Sequence, residues 1–162
     1  MPHFEYGSAK IYYEDTSGAG FPLLIIPGGG LNGTCADATT AAPIDTFAAF
    51  KDEFRCVTLD QRNAKNGRST GPLEPDRPWG MYADDHFGVM DHLGIDKFMV
   101  MGYCIGGPFV WNLIKHAPKR VVAGVLSQPV GFRPEIPDRF ATNFGKVWGE
   151  PMCETNPDVT PE

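Results

Sequence analysis

Cys104 stands in the run Met101-Gly102-Tyr103-Cys104-Ile105-Gly106-Gly107, a G-x-C-x-G pattern with an apolar stretch on either side. A thiol flanked in this way suits nucleophilic attack on a carbonyl. In the serine form of the pattern the nucleophile occupies a strained strand-to-helix turn, and the flanking glycines let the backbone pass without side-chain collision. The turn lifts the reactive atom clear of the sheet, and the first N–H groups of the following helix favour negative charge beside it. Glycines also part strands from helices for purely architectural reasons, and cysteine is often a small buried residue. On these residues alone the two readings stand about even.

A thiol nucleophile ordinarily needs a base within hydrogen-bond reach, usually a histidine held by a carboxylate. The four histidines are poorly placed for it. His116 lies twelve residues past Cys104, about 18 Å along a helix and at its far end. His92 falls near the end of the preceding helix and His3 opens an outlying hairpin, so both read as solvated or structural. His86 is nearer the start of its helix and reads as an ordinary surface histidine. The other cysteines, Cys35, Cys56 and Cys153, are irregularly spaced, without C-x-x-C pairs or the density of a disulfide scaffold. They read as reduced, mostly inert thiols, and neither they nor Asp37 and Asp45 form a metal-ligand spacing.

The elements that must position Cys104 follow from hydrophobic patterning. Phe4–Tyr6 and Lys10–Glu14, parted by Gly7-Ser8, predict a hairpin. Leu23–Ile26, Cys56–Leu59, Phe98–Met101 and Val121–Leu126 are continuous apolar runs, as expected of parallel strands covered on both faces. Met81–Leu93 predicts a surface helix with Ala83, Phe87, Met90 and Leu93 inward, Asp84, Asp85, Asp91 and His92 off that stripe, and Gly94 as its stop. Asp84 and Asp85 are taken to lie at its positive end. Ile105–His116 predicts a second, deeply buried helix, with Pro108 tolerated in its first turn and Pro118 beyond its end. The alternation makes the fold class α/β, a doubly wound, mostly parallel sheet. Past Leu126 no further strand-like run occurs, so the sheet is expected to be incomplete at its carboxyl-terminal side.

With these elements in order, the chain resembles the α/β-hydrolase superfamily over about residues 10–131. Ile25-Ile26-Pro27-Gly28-Gly29-Gly30 is similar to the family's oxyanion loop, with Pro27 where a histidine is common. Asp60-Gln61-Arg62 and Asn66-Gly67-Arg68-Ser69 resemble its D-x-R-G-x-G-x-S loop with residues inserted. The run Tyr82–Ile95 matches the helix before the nucleophile. The cysteine form of the elbow is similar to that of dienelactone hydrolase, while the loops look more like haloperoxidase and epoxide-hydrolase relatives. The resemblance implies that Cys104 is the nucleophile and that the backbone N–H groups of Ile105 and Gly29 form the oxyanion hole. It also implies that Gly30, Tyr103 and Trp148 line the substrate site. A phosphate cradle at Gly28–Gly30 is disfavoured, because the G-K-[ST] ending is missing and no helix pattern follows at once.

Family chain order puts the acid and histidine after the nucleophile, and no such strands follow here. Residues 1–131 are therefore expected to be the amino-terminal part of the core, 132–162 the start of a cap or lid, and the chain a fragment or truncation of a longer hydrolase. An unpaired apolar edge at Val121–Leu126 leads us to expect dimers or aggregates, or a missing carboxyl-terminal half that covers it.

The 162 residues fit one domain, and 42% hydrophobic with 21% charged residues is ordinary globular usage. A formal charge of −6 disfavours nucleic acid as a partner. No apolar run approaches the ~20 residues that span a bilayer, and the amino terminus is unlike a secretory signal, so a cytoplasmic protein is expected. The expected partner is a small-molecule substrate, with no cofactor. Hydrolysis of an ester, thioester or lactone is the first reading. A non-catalytic small-molecule-binding member is the second, and a lyase or acyltransferase on the same scaffold stays open. Asp60 and Arg62 are expected to pair locally in their loop, and Trp79, Trp111 and Trp148 to serve packing.

Overall fold

The computed structural model describes residues 2–41 and 45–130. β1 (His3–Tyr6) and β2 (Ala9–Asp15) form the expected antiparallel hairpin, with Tyr6 opposite Ala9 across the Gly7-Ser8 turn. β2 runs antiparallel to β4 (Phe54–Leu59), and β3 (Phe21–Ile26), β4, β5 (Phe98–Tyr103) and β6 (Val121–Ser127) are mutually parallel. The order across the sheet is β1-β2-β4-β3-β5-β6. The chain thus steps from β3 out to β4, then crosses back over β3 to β5. That reversal makes the carboxyl ends of β3 and β5 the switch point of the sheet, the position at which open α/β sheets bind ligands.

Each face of the sheet is closed by different elements. On one face Leu23, Ile25, Cys56 and Tyr103 form a buried cluster with Ala38, against which Phe47, Phe50, Phe54, Met99 and Met101 pack. Over it lie a π-helical stretch at Asp37–Ala41 and α1 (Thr46–Phe50), whose Ala48 N–H is capped by Asp45; a one-turn 3-10 helix at Gly30–Asn32 precedes them in the chain. The opposite face is covered by α2 (Pro78–His92) and α3 (Gly106–His116), where the Phe98 and Phe87 rings meet edge to face and Val110 lies against Gly102.

α2 departs from its expected form. It begins at Pro78, three residues early, so Asp84 and Asp85 lie beyond the first turn, and that turn carries no acid. Asp84 instead pairs with Arg77 just before the helix. Asp85 and His86 are fully buried, because they fall four residues after Met81 and Tyr82 on the inward stripe, while Phe87 and Leu93 are half-buried. The helix ends as expected, with Gly94 at φ 70. In α3, Phe109, Val110 and Leu113 are buried, Ile114 is only half-buried, and Trp111 is 60% exposed. Trp111 is therefore not the packing residue it was expected to be, whereas Trp79 lies against Phe109 with ring centroids 5.0 Å apart.

Among the described residues, β6 is not covered on both faces, and it is an edge strand, with Val122 and Val125 about half exposed. Trp148, Cys153 and the expected cap segment 132–162 lie outside the described residues. No helix among the described residues is long and apolar enough to cross a membrane.

Candidate active site

Cys104 occupies the turn between β5 and α3 with φ 50, a left-handed backbone that a residue bearing a side chain adopts only at a cost. The neighbours impose it. A Cβ at Gly102 would fall 2.4 Å from the Gly106 carbonyl oxygen, and one at Gly106 would fall 2.5 Å from that of Ile26. Only glycine at both positions lets α3 leave β5 this tightly and still pack on the end of β3. Three backbone hydrogen bonds hold the bend: Cys104 N–H donates to Ser127 at 3.0 Å, and the Cys104 carbonyl accepts from Gly107 and Val130, each at 3.1 Å. The Cys104 side chain is partly exposed. Cys35 and Cys56 are closed in the core, where burial pushes both thiols up, Cys56 to about 11 and Cys35 further, with Asp60 adding to the rise at Cys35.

The glycine loop after β3 runs against this bend. A Cβ on Gly28 would sit 3.6 Å from Cβ of Cys104. Gly29 and Gly30 are both left-handed, at φ 93 and 66, and start the one-turn helix. That turn is a small departure from the expectation that no helix opens here. Among the described residues, no backbone carbonyl accepts from the N–H of Gly29, Gly30 or Ile105. Tyr103, read as substrate-lining, is 6% exposed and belongs to the buried cluster, with its hydroxyl 3.6 Å from Met101 Sδ. Its position is that of a prop under the turn.

No described histidine is hydrogen-bonded to Cys104. His116 bonds Asn112 at the far end of α3, His92 packs on Phe4 and Tyr13, and His3 lies edge-on to Tyr12. His86, expected at the surface, is instead sealed between α2 and α3 against Phe109, its Nδ1 at the Tyr82 carbonyl and its Nε2 without a partner among the described residues. Burial holds it below its ordinary range.

Asp60 and Arg62 do not pair with each other. Asp60 accepts from the N–H groups of Cys35 and Arg68, each at 2.7 Å, and from Arg68 Nε at 3.3 Å. Arg62 reaches the other way, to Asp85, Tyr6 and the Pro72 carbonyl. Both are buried and structural, as the loop reading required, yet each serves a different neighbour. No group of three or more metal-ligating side chains occurs among the described residues.

A six-stranded, mostly parallel sheet with a tight left-handed strand-to-helix turn at its switch point is laid out as in the α/β-hydrolase fold, and comparison with known proteins supports that fold. The family model described as alpha/beta hydrolase fold matches residues 22–146, and the chain belongs to that family. It is 31% identical over 127 residues to haloalkane dehalogenase 2 of Mycobacterium tuberculosis, covering 76% of this chain and 40% of that protein. Among solved structures it is similar to Est816, described as an N-acyl homoserine lactone degrading enzyme, at 25% identity and a TM-score of 0.64. That match covers 92% of this chain and 55% of the other. The fold is shared with 2-hydroxy-6-oxo-6-phenylhexa-2,4-dienoate hydrolase of Rhodococcus sp. strain RHA1, at 22% identity and a TM-score of 0.67, over 88% of this chain and 51% of that one. The chain thus spans about half, or less, of the length of these relatives.

Proposed function

We propose that this chain carries the nucleophile side of a hydrolase acting on carboxylic esters, thioesters or lactones, with Cys104 as the attacking residue. The observation that carries the reading is the left-handed turn at Cys104, φ 50, between glycines whose missing side chains let α3 leave β5 tightly; in this reading the backbone N–H groups of Ile105 and Gly29 are the oxyanion donors. The sulfur attacks the carbonyl carbon, an S–C bond forms, and the carbonyl electron pair moves onto oxygen. The two N–H groups stabilise that oxyanion, an effect worth a few kcal/mol per well-placed donor. Collapse expels the alkoxide or thiolate, which takes up a proton. Water then attacks the acyl-thioester, releasing the acid and restoring the thiol.

Support for the substrate class comes from the carbonyl-directed geometry and from the lactone named for Est816. In this reading Gly30 lines the acyl site and Trp148 contributes from the segment expected to form the cap. The partner is a small molecule. The histidine and acid that would speed the proton transfers have no counterpart beside Cys104 among the described residues, an observation that favours the non-catalytic binding alternative.

One experiment separates the two. The protein is incubated with p-nitrophenyl acetate, an acyl thioester and an N-acyl homoserine lactone, while product release is followed and the acylated peptide located by mass spectrometry. An acyl group on Cys104, absent in Cys104→Ala, is expected; identical product release from both proteins would defeat the reading.

A further inference from the structure

We infer that Asp60, buried and more than thirty residues from either donor in sequence, is a positioning residue for the Gly29 N–H; this rests on the oxyanion role proposed above. The left-handed pair Gly29–Gly30 has no side chain of its own to fix it, and the one-turn helix there has no side-chain cap. Its shape is set by what the loop's two ends are fastened to. One end leaves β3 at Ile26 and lies against Cys104.

The other end is fastened to the loop after β4. Asp60 Oδ1 accepts the Cys35 N–H at 2.7 Å, Gln61 N–H donates to the Gly33 carbonyl at 2.9 Å, and Lys65 N–H donates to Asn32 Oδ1 at 2.9 Å. Asp60 is itself immobilised: its side chain is 1% exposed, and its second oxygen accepts from the backbone and side chain of Arg68. Carboxylate-assisted bonds to buried N–H groups are the stronger kind. From this anchor the contact path back to the site is short. Gly33 folds onto Gly28 so closely that a Cβ there would lie 2.9 Å from the Gly28 carbonyl oxygen, and a Cβ on Gly29 would lie 3.6 Å from Gly33. A shift at Cys35 and Gly33 therefore moves Gly28, which lies against Cys104, and Gly29, whose N–H is the proposed donor. Misplacing such a group by about 1 Å can cost a hundredfold in rate.

The test compares two reactions of the same sulfur in the intact chain. Acylation by p-nitrophenyl acetate forms the S–C bond through a tetrahedral oxyanion and expels p-nitrophenolate. Alkylation by iodoacetamide forms an S–C bond by displacing iodide and builds no oxyanion. The ratio of the two rates at Cys104, read by peptide mass spectrometry, thus reports the oxyanion donors and cancels changes in the thiol. In Asp60→Asn the Cys35 acceptor is retained, but an amide replaces the charged oxygen facing Arg68, and the ratio is expected to fall about tenfold. Should that variant not fold, Arg68→Gln keeps the Asp60 carboxylate and its bond from Cys35 while removing its guanidinium partner, together with the Glu14 pair and the stack on Tyr12, and a fall of about threefold is expected. A fall of less than about twofold in the folded variant overturns the inference, since a merely stabilising role would lower the unfolding midpoint and leave the ratio unchanged. If the native chain shows no higher ratio than the urea-unfolded chain, the hydrolase reading fails first and the positioning role falls with it.

Discussion

Arg62 and Asp85 form an ion pair closed from solvent, with Nη2 2.6 Å from Oδ1 and Nε 3.1 Å from Oδ2. Neither side chain is more than 1% exposed. The Tyr6 hydroxyl donates to the same carboxylate at 2.6 Å and accepts from Arg62, so the pair ties the amino-terminal hairpin to α2 and the loop after β4. Removing one member leaves a buried charge uncompensated, which typically costs about 3–5 kcal/mol, whereas removing both costs much less than the sum. Urea unfolding of Arg62→Met, Asp85→Leu and the double variant is expected to give two large losses and a smaller combined one. Strict additivity would show that the two groups do not depend on each other.

His86 makes stability depend on pH. Burial lowers its folded-state affinity for a proton below that of the unfolded chain, whose ordinary value is near 6.5. Above that value both states are neutral and the residue contributes no slope. As pH falls through and below 6.5, the unfolded state binds the proton first, so stability falls with acidification. Denaturant midpoints taken from pH 8 to pH 5 should decline below about 6.5, and His86→Leu should flatten that decline. An unchanged slope in the variant would assign the effect to other groups.

The turn at Cys104 costs stability. A side-chain-bearing residue in the left-handed region carries about 1–2 kcal/mol of strain, against which glycine adds about 0.5–1 kcal/mol of unfolded-state entropy. Cys104→Gly is therefore expected to raise the unfolding free energy by up to about 1 kcal/mol while abolishing labelling at that position. Gly102→Ala should do the reverse, since its methyl would meet the Gly106 backbone at 2.4 Å; it is expected to cost about 2–3 kcal/mol or to prevent folding. Thermal denaturation with thiol labelling reads both. A destabilised Cys104→Gly would mean that packing of the sulfur outweighs the backbone strain.

The open edge at β6 should make the chain self-associate. Val122 and Val125 stand about half exposed on a strand that is unpaired on one side among the described residues. Sedimentation at rising concentration is expected to show dimers or larger species, and Val125→Lys should shift them toward monomer. A single monomeric species across the range would remove the expectation.

Much of this framework is legible in the sequence because it is carried by apolar runs and glycines. The four strands of the parallel sheet, the hairpin and the glycine-flanked thiol each follow from local pattern. The segment between Gly30 and Phe50 is not legible in that way. Its helices are too short to show a repeating apolar period, with only Phe47 and Phe50 of α1 and Ala38 turned to the core, and polar contacts such as Asp45 on Ala48 N–H and Thr34 on Asp37 fix their turns. Asp85 and His86 depart from expectation for a different reason: their polarity argues for exposure, whereas their spacing from Met81 and Tyr82 sets them inward. The partners that stabilise the buried Asp85, Arg62 and Tyr6, are 23 and 79 residues away. Nothing in α2 alone announces them. Asp60 and Arg62, two positions apart, diverge because the chain turns between them toward separate neighbours.

The bend at residue 104 owes nothing to sulfur. It is set by the absence of methyl groups at two flanking positions and by three main-chain bonds, none of which involves the thiol. The frame is thus a mount indifferent to its occupant: a serine oxygen placed there would inherit the same outlook on the glycine loop. Within such a scaffold the reagent can be exchanged by one base change while every strand and helix stays as it was, and the softness or hardness of the attacking atom becomes the cheapest trait for selection to vary.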